Sequence, residues 1–131
     1  MIIDPISDMF TRIRNAIQAQ MSSVEMPTSK LKEAVLKIMK QENLIVDFQK
    51  KQKKGLPDRL IIHLKYDNNT PAINHIERVS KPGLRIYAKA NRLPKTLTNW
   101  GVVIVSTPRG MMTGKEAKKK GIGGEIICRI W

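Results

Sequence analysis

The sequence predicts an α+β protein, and three observations carry that expectation. Apolar residues recur at helical spacing only in the first third of the chain. Strand-like runs bounded by turn residues fill most of the rest, and one short capped helix interrupts them. At 131 residues the chain has room for one compact domain or two small ones sharing a hinge, and an apolar fraction of 41% supports a packed core.

Asp4 is a good N-cap for the first helix, and Pro5 suits its first turn because the missing N–H would be unpaired there anyway. Ile6, Met9, Phe10, Ile13 and Ile17 make one apolar stripe, with Arg12 and Arg14 off it. Ser29 caps a second helix whose expected buried face is Leu31, Ala34, Val35, Ile38 and Met39. Lys30, Lys32, Lys37 and Lys40 are expected on its flank and exposed side, as an ordinary solvated face. Asn43, which tolerates a left-handed backbone, marks the stop.

From Leu44 the period shifts toward strands. LIVDFQ (44–49) and RLIIHLKY (59–66) read as a hairpin around the charged turn KKQKKGLPD, and DNNTPA (67–72) reads as a loop and the join between subdomains spanning 1–70 and 71–131. INHIERVS (73–80) and LRIYAK (84–89) are two strands around the turn Lys81-Pro82-Gly83. Leu93 to Trp100 is expected to form a short helical turn, and VVIVS (102–106) a buried strand. Thr113 with Glu116 three residues on makes a capping box for a short helix through Lys120, and EIICRIW (125–131) closes the chain as a strand.

Charge narrows the partner. Twenty-four Lys and Arg against eleven Asp and Glu give a net charge of +13, most economically explained by a polyanion. The excess is spread: Met1 to Tyr66 has 12 basic and 7 acidic residues, and Asp67 to Trp131 has 12 and 4. Nucleic acid is therefore expected, and no run is long or apolar enough to read as a membrane span. Cys128 is the single cysteine and reads as a buried strand residue. His63 and His75 lie apart without metal-ligand spacing, so neither a disulfide, a metal nor a cofactor is expected. No paired carboxylates and no Ser/His/Asp grouping can be assembled, which argues against an enzyme. MIIDPISDMF lacks the pattern of a signal or transit peptide, giving the expectation of a cytoplasmic protein.

The stretch Ser106 to Glu125 is the candidate site. Gly110-x-x-x-Gly114-Lys115-Glu116 is one residue short of a phosphate loop and has Glu where a Ser or Thr must hold the metal. A surface for RNA is the better reading. Ser106 and Thr107 offer hydroxyls, Gly121, Gly123 and Gly124 permit close backbone approach, and Arg109, Lys115, Lys118, Lys119 and Lys120 supply charge. The competing reading is a turn that needs glycine for its own shape beside a solvated basic helix. Tyr87 is either a base-stacking platform or a packing residue. Glu125 either accepts from a base amino group or pairs with a nearby Arg or Lys. The run Lys50, Lys51, Lys53, Lys54 is either a solvated turn or a phosphate contact.

Four ordered blocks, DPISDMFTRIRNA at 4–16, PTSKLKEAVLKIMKQENLI at 27–45, RVSKPGLRIY at 78–87 and STPRGMMTGKEAKKKGIGGEIICRIW at 106–131, resemble the bacterial-type small-subunit ribosomal protein number eight family. The resemblance covers essentially the whole chain. It implies two contacting subdomains, the first with two helices on a three-stranded sheet and the second mostly β with one short helix. It further implies a structural, non-catalytic role in binding the central domain of small-subunit rRNA, beside ribosomal proteins five and twelve. In the family the second subdomain carries the main RNA contacts. On matching positions these are Tyr87, Ser106, Thr107, Gly123, Gly124 and Glu125, with Arg109 and Lys115 nearby. The chain departs from the family pattern at Pro108, Gly114 and Arg129, where Ser, Asp and an aromatic are common. A stand-alone RNA-binding regulator would use the same surface, and co-sedimentation with ribosomal subunits separates the two.

Overall fold

The computed structural model describes residues 4–90 and 101–131. The chain divides into two compact units, one running Pro5–Ile73 and the other made of Asn74–Trp131 together with Asp4. The helical turn expected over Leu93 to Trp100 lies outside the described residues.

In the first unit, α1 (Pro5–Gln18) buries Ile6, Met9, Phe10, Ile13 and Ala16. Ala16 takes the place expected for Ile17, which is only half-buried. α2 (Lys30–Gln41) is capped by Ser29, whose Oγ accepts from the Lys32 backbone N–H at 3.2 Å. Its buried face is Lys32, Val35, Leu36, Ile38 and Met39, which corrects two expectations. Leu31 is exposed and Ala34 is half-buried, whereas Lys32, expected in solvent, is only 5% exposed. The cause is helical spacing. Position 32 stands three, four and seven residues before Val35, Leu36 and Met39, so its alkyl stem covers their stripe while its ammonium donates to the Pro27 carbonyl at 2.9 Å. Burial pushes the Lys32 pKa below the ordinary lysine value, against a smaller upward pull from Asp8.

Both helices end in the same device. At α2 the Asn43 backbone is left-handed (φ 60°), its N–H reaches Lys40 O, and the Leu44 N–H reaches Met39 O. Gln20 (φ 55°) does the same for α1, its N–H reaching Ile17 O while the Met21 N–H reaches Ala16 O. These paired bonds satisfy carbonyls that a helix end leaves open. The helices pack on a three-stranded antiparallel sheet ordered β1-β3-β2, with β1 at Ser23–Pro27, β2 at Ile45–Lys51 and β3 at Arg59–Leu64. Along β3, Leu60, Ile62 and Leu64 are buried and alternate with half-exposed Arg59, Ile61 and His63, as a one-sided sheet requires. β1 was not visible in the sequence. DNNTPA is not a plain loop, since β4 (Tyr66–Asp67) and β5 (Thr70–Pro71) pair around Asn68 and Asn69, both left-handed. Two consecutive residues with positive φ make the tight hairpin turn that Asn accepts.

The second unit is built around β10 (Gly124–Ile130). β8 (Val102–Thr107) pairs along one edge and continues to β9 (Gly110–Thr113). The other edge is shared by β6 (Ile76–Arg78) and β7 (Tyr87–Ala88), both antiparallel to β10. The two strands expected around Lys81-Pro82-Gly83 therefore lie along one edge of β10, with the turn an excursion between them. Val79 and Ser80 donate to Ile127 O and Ile126 O, the chain loops out, and Ile126 donates back to Ile86 O. Ser80 closes the base of the loop, its buried hydroxyl donating to Ile86 O at 3.2 Å and accepting from the Ile86 N–H at 2.8 Å. α3 (Gly114–Lys119) is capped by the Thr113 hydroxyl, which accepts from the Glu116 N–H at 3.1 Å, as the capping-box pattern predicts. Ala117 joins Val103, Val105, Met112 and Ile126 in a buried cluster, so α3 covers one face of the sheet. Cys128 is fully buried as expected, and burial pushes its thiol pKa up to about 12.

Candidate nucleic-acid interface

Strand register decides which candidate residues meet. Tyr87 pairs with Glu125 across β7 and β10, Glu125 pairs with Ser106 across β10 and β8, and Ser106 pairs with Met111 across β8 and β9. Directly opposed residues share a face, so Tyr87, Glu125, Ser106 and Met111 form one row across four strands. Alternation sets Val105 and Ile126, and hence α3, on the opposite face. The structure therefore joins Tyr87, Ser106 and Glu125 but places Lys115, Lys118 and Lys119, all exposed, with the helix on the other face.

Tyr87 is 69% exposed, so its ring is available to a partner rather than spent in the core. The Glu125 side chain is only 15% exposed, and Arg85 donates to its Oε2 at 3.0 Å. Glu125 in turn raises the Arg85 pKa above its ordinary value, chiefly through that hydrogen bond. The local-pair alternative for Glu125 is thus the arrangement present. Arg85 was missed by sequence reasoning, because nothing local links it to a residue forty positions away.

The turn between β8 and β9 uses its own hydroxyl. Thr107 Oγ1 donates to Gly110 O at 2.8 Å and accepts from the Arg109 N–H at 3.1 Å, so that buried hydroxyl is engaged within the turn. Pro108 and Arg109 are the two loop residues between the pair Thr107–Gly110. Proline fixes φ near the value that a first turn position needs. The departure at Pro108 thus gives up a hydroxyl and gains a preset turn. Arg109 is exposed at the tip.

Gly123 and Gly124 also have internal work. A Cβ on Gly124 would meet Ser106 O, with Ser106 C at 2.9 Å and Thr107 Cα at 3.2 Å. On Gly123 it would meet Ala88 O, with Lys89 Cα at 2.8 Å. The space beside both glycines is filled by the chain's own backbone. Gly121 (φ 69°) ends α3, with Ile122 donating to Ala117 O. At the other two departures, a Cβ on Gly114 would stand 3.3 Å from Val103 Cβ, and Arg129 donates from Nη2 to both carboxylate oxygens of Glu77 at 2.9 Å. Gly110 to Thr113 is a strand, so the glycines and Lys115 do not form a phosphate loop.

Comparison with known proteins gives the family over nearly the whole chain. The family described as ribosomal protein S8 matches residues 4–131. The chain belongs to the ribosomal protein S8 family. Similar curated proteins include the small ribosomal subunit protein uS8 of Thiobacillus denitrificans, 52% identical over 97% of this chain and 96% of that protein. The uS8 protein of Solibacter usitatus is 48% identical over the full length of both, and that of Mycoplasmopsis synoviae is 47% identical over 99% and 98%. As a member of the S8 family the chain is a structural component of the small ribosomal subunit and not an enzyme. Among the described residues no helix is long and apolar enough to cross a membrane, and no three His, Cys, Asp or Glu side chains gather as a metal site would need.

Proposed function

We propose that this chain binds the central domain of small-subunit rRNA in the cytoplasmic ribosome, beside ribosomal proteins five and twelve, and stabilises the folded RNA during subunit assembly. The reading is supported by the cross-strand row Tyr87–Glu125–Ser106, which sets an exposed aromatic ring and a hydroxyl on one face of the sheet, two strands apart. An exposed ring can stack on a base displaced from its helix, and a hydroxyl can donate to or accept from a ribose 2′-OH. Arg85 neutralises the Glu125 carboxylate, which removes a repulsion that an RNA phosphate would otherwise meet there. Arg109 and the α3 lysines Lys115, Lys118 and Lys119 supply phosphate attraction through counterion release. Gly123 and Gly124 contribute by setting the close spacing of β10 against its neighbours.

The test is a Tyr87→Ala variant measured against a central-domain rRNA fragment and an unrelated duplex RNA at matched salt. Loss of a stacked base costs about 1–3 kcal/mol, so binding to the rRNA fragment should weaken roughly five- to 150-fold while duplex binding stays unchanged. Because Tyr87 is exposed, the fold should survive, and circular dichroism checks it. An equal change on both RNAs, or none on either, overturns the reading.

A further inference from the structure

We propose that the tip of the β2–β3 hairpin, Lys51 to Lys54, is a second RNA-docking element that grips backbone phosphates without reading bases. It deepens the proposal that rRNA is the ligand, yet it uses a different unit and a different surface.

The turn carries Lys50, Lys51, Lys53 and Lys54, and the hairpin's carboxylates are drawn away from its tip. Asp58 is held at the base by Lys50 at 3.6 Å and by Gln52 Nε2 at 3.4 Å. On the same sheet Glu25 is held by Arg59 and Asp47 by Lys40, each at 2.9 Å. Among the described residues, Lys51, Lys53 and Lys54 have no carboxylate partner, and all three are exposed. Three unneutralised ammonium groups within four residues repel one another. The arrangement resists folding slightly and gains only when a polyanion lies against it.

The backbone is set to present them. The Leu56 N–H bonds to Lys53 O at 3.0 Å, and Gly55 takes φ 80°, a conformation glycine adopts without steric cost. The groups needed for base reading are missing from this turn. Residues 50–58 contain no aromatic ring and no arginine, and the one amide, Gln52, is turned toward Asp58. Ammonium groups without a stacking platform or bidentate partner recognise phosphate as point charges.

The experiment uses the full chain and compares two doubly substituted proteins of equal net charge. One is Lys53→Gln/Lys54→Gln at the tip, and the other is Lys30→Gln/Lys37→Gln on the exposed side of α2. Binding to a generic duplex RNA is followed from about 0.05 to about 0.2 M salt, where each phosphate contact contributes roughly 0.9 to the logarithmic salt slope. The tip variant should lower the slope by between about one and about two, the α2 variant by much less, and Lys53→Arg/Lys54→Arg should restore it. Equal slopes for the two Gln pairs would mean diffuse charge and overturn the proposal, as would an unchanged slope at the tip. Because only wild type and variant on one duplex are compared, the result stands apart from whether the protein prefers its rRNA fragment, which tests the earlier proposal.

Discussion

Replacing Gly124 by Ala adds one methyl group where the sheet has no room. The new Cβ would meet Ser106 O and lie 2.9 Å from Ser106 C and 3.2 Å from Thr107 Cα, all backbone atoms of β8. Comfortable carbon contacts begin near about 3.5 Å, and backbone in a paired strand cannot rotate aside as a side chain would. The strands must part beside the Glu125–Ser106 pair. Overpacking of this kind costs about 1–3 kcal/mol, and one weakened ladder bond about 1 kcal/mol more. The lost freedom of glycine in the unfolded chain returns about 0.4–1 kcal/mol. The net destabilisation is about 2–3 kcal/mol, which for a unit of this size lowers the melting temperature by roughly 10 °C or more. Gly83→Ala is the internal control, since nothing lies within 4 Å of its Cβ position, and its melt should stay near wild type. Thermal denaturation followed by circular dichroism reads both. A Gly124→Ala protein melting within about a degree of wild type, where about 10 °C is expected, would refute the claim that strand spacing demands this glycine.

Three further outcomes are expected. Arg78→Met removes the guanidinium that holds Asp4 at 3.0 Å in a pair whose side chains are 8% and 14% exposed, and urea denaturation should show a loss of about 3 kcal/mol. Cys128, buried and with its thiol pKa near 12, should resist a thiol reagent at neutral pH in the native protein and react as the second unit opens under denaturant. Asp47 has its pKa drawn below 3.8, first by the hydrogen bond from Lys40. A depressed carboxylate stabilises the fold above its unfolded pKa and loses that contribution as pH falls through the folded one, so Asp47→Asn should flatten the acid limb of the stability profile below pH 3.8 and leave its shape near neutrality unchanged.

Elements whose signal is local were readable from residue order. The Ser29 and Thr113 caps, the Asn43 stop, the β2–β3 hairpin and the buried β8 each declare themselves within a few residues. Features that exist only through distant pairing were not. SVEMP alternates over only four residues before a proline, too short a run to declare a strand, and becomes β1 because it pairs with β3, Met26 meeting Leu60 across the sheet. The turn Lys81-Pro82-Gly83 has hairpin chemistry, yet both flanking strands prefer β10, which offers a longer edge than they offer each other. Lys32 was misplaced because a lysine on an apolar stripe is normally solvated, and the accepting Pro27 carbonyl is invisible until the chain folds back. In the candidate site, residue types pointed to Tyr87, Ser106 and Glu125, but register was needed to set them side by side and to bring in Arg85. Register also shows what composition cannot, that the α3 lysines face away from that row.

The order in which strands join the second unit has a consequence for the protein's own synthesis. Pro5–Ile73 is contiguous, and all three strands of its sheet are made once it has emerged. The remaining sheet is organised by its last strand, since β6, β7 and β8 all pair with β10, and among the described residues only the β8–β9 hairpin and α3 are complete without it. At about 5–20 residues per second, the chain from Asn74 onward spends several seconds as apolar strands waiting for a partner. During that interval Val103, Ile104 and Val105 lie in an unfinished sheet with one edge bare. A nascent chain released before Gly124–Ile130 is made would carry a finished first unit and an adhesive remainder. Loss of β10 is therefore far more damaging than its seven residues suggest.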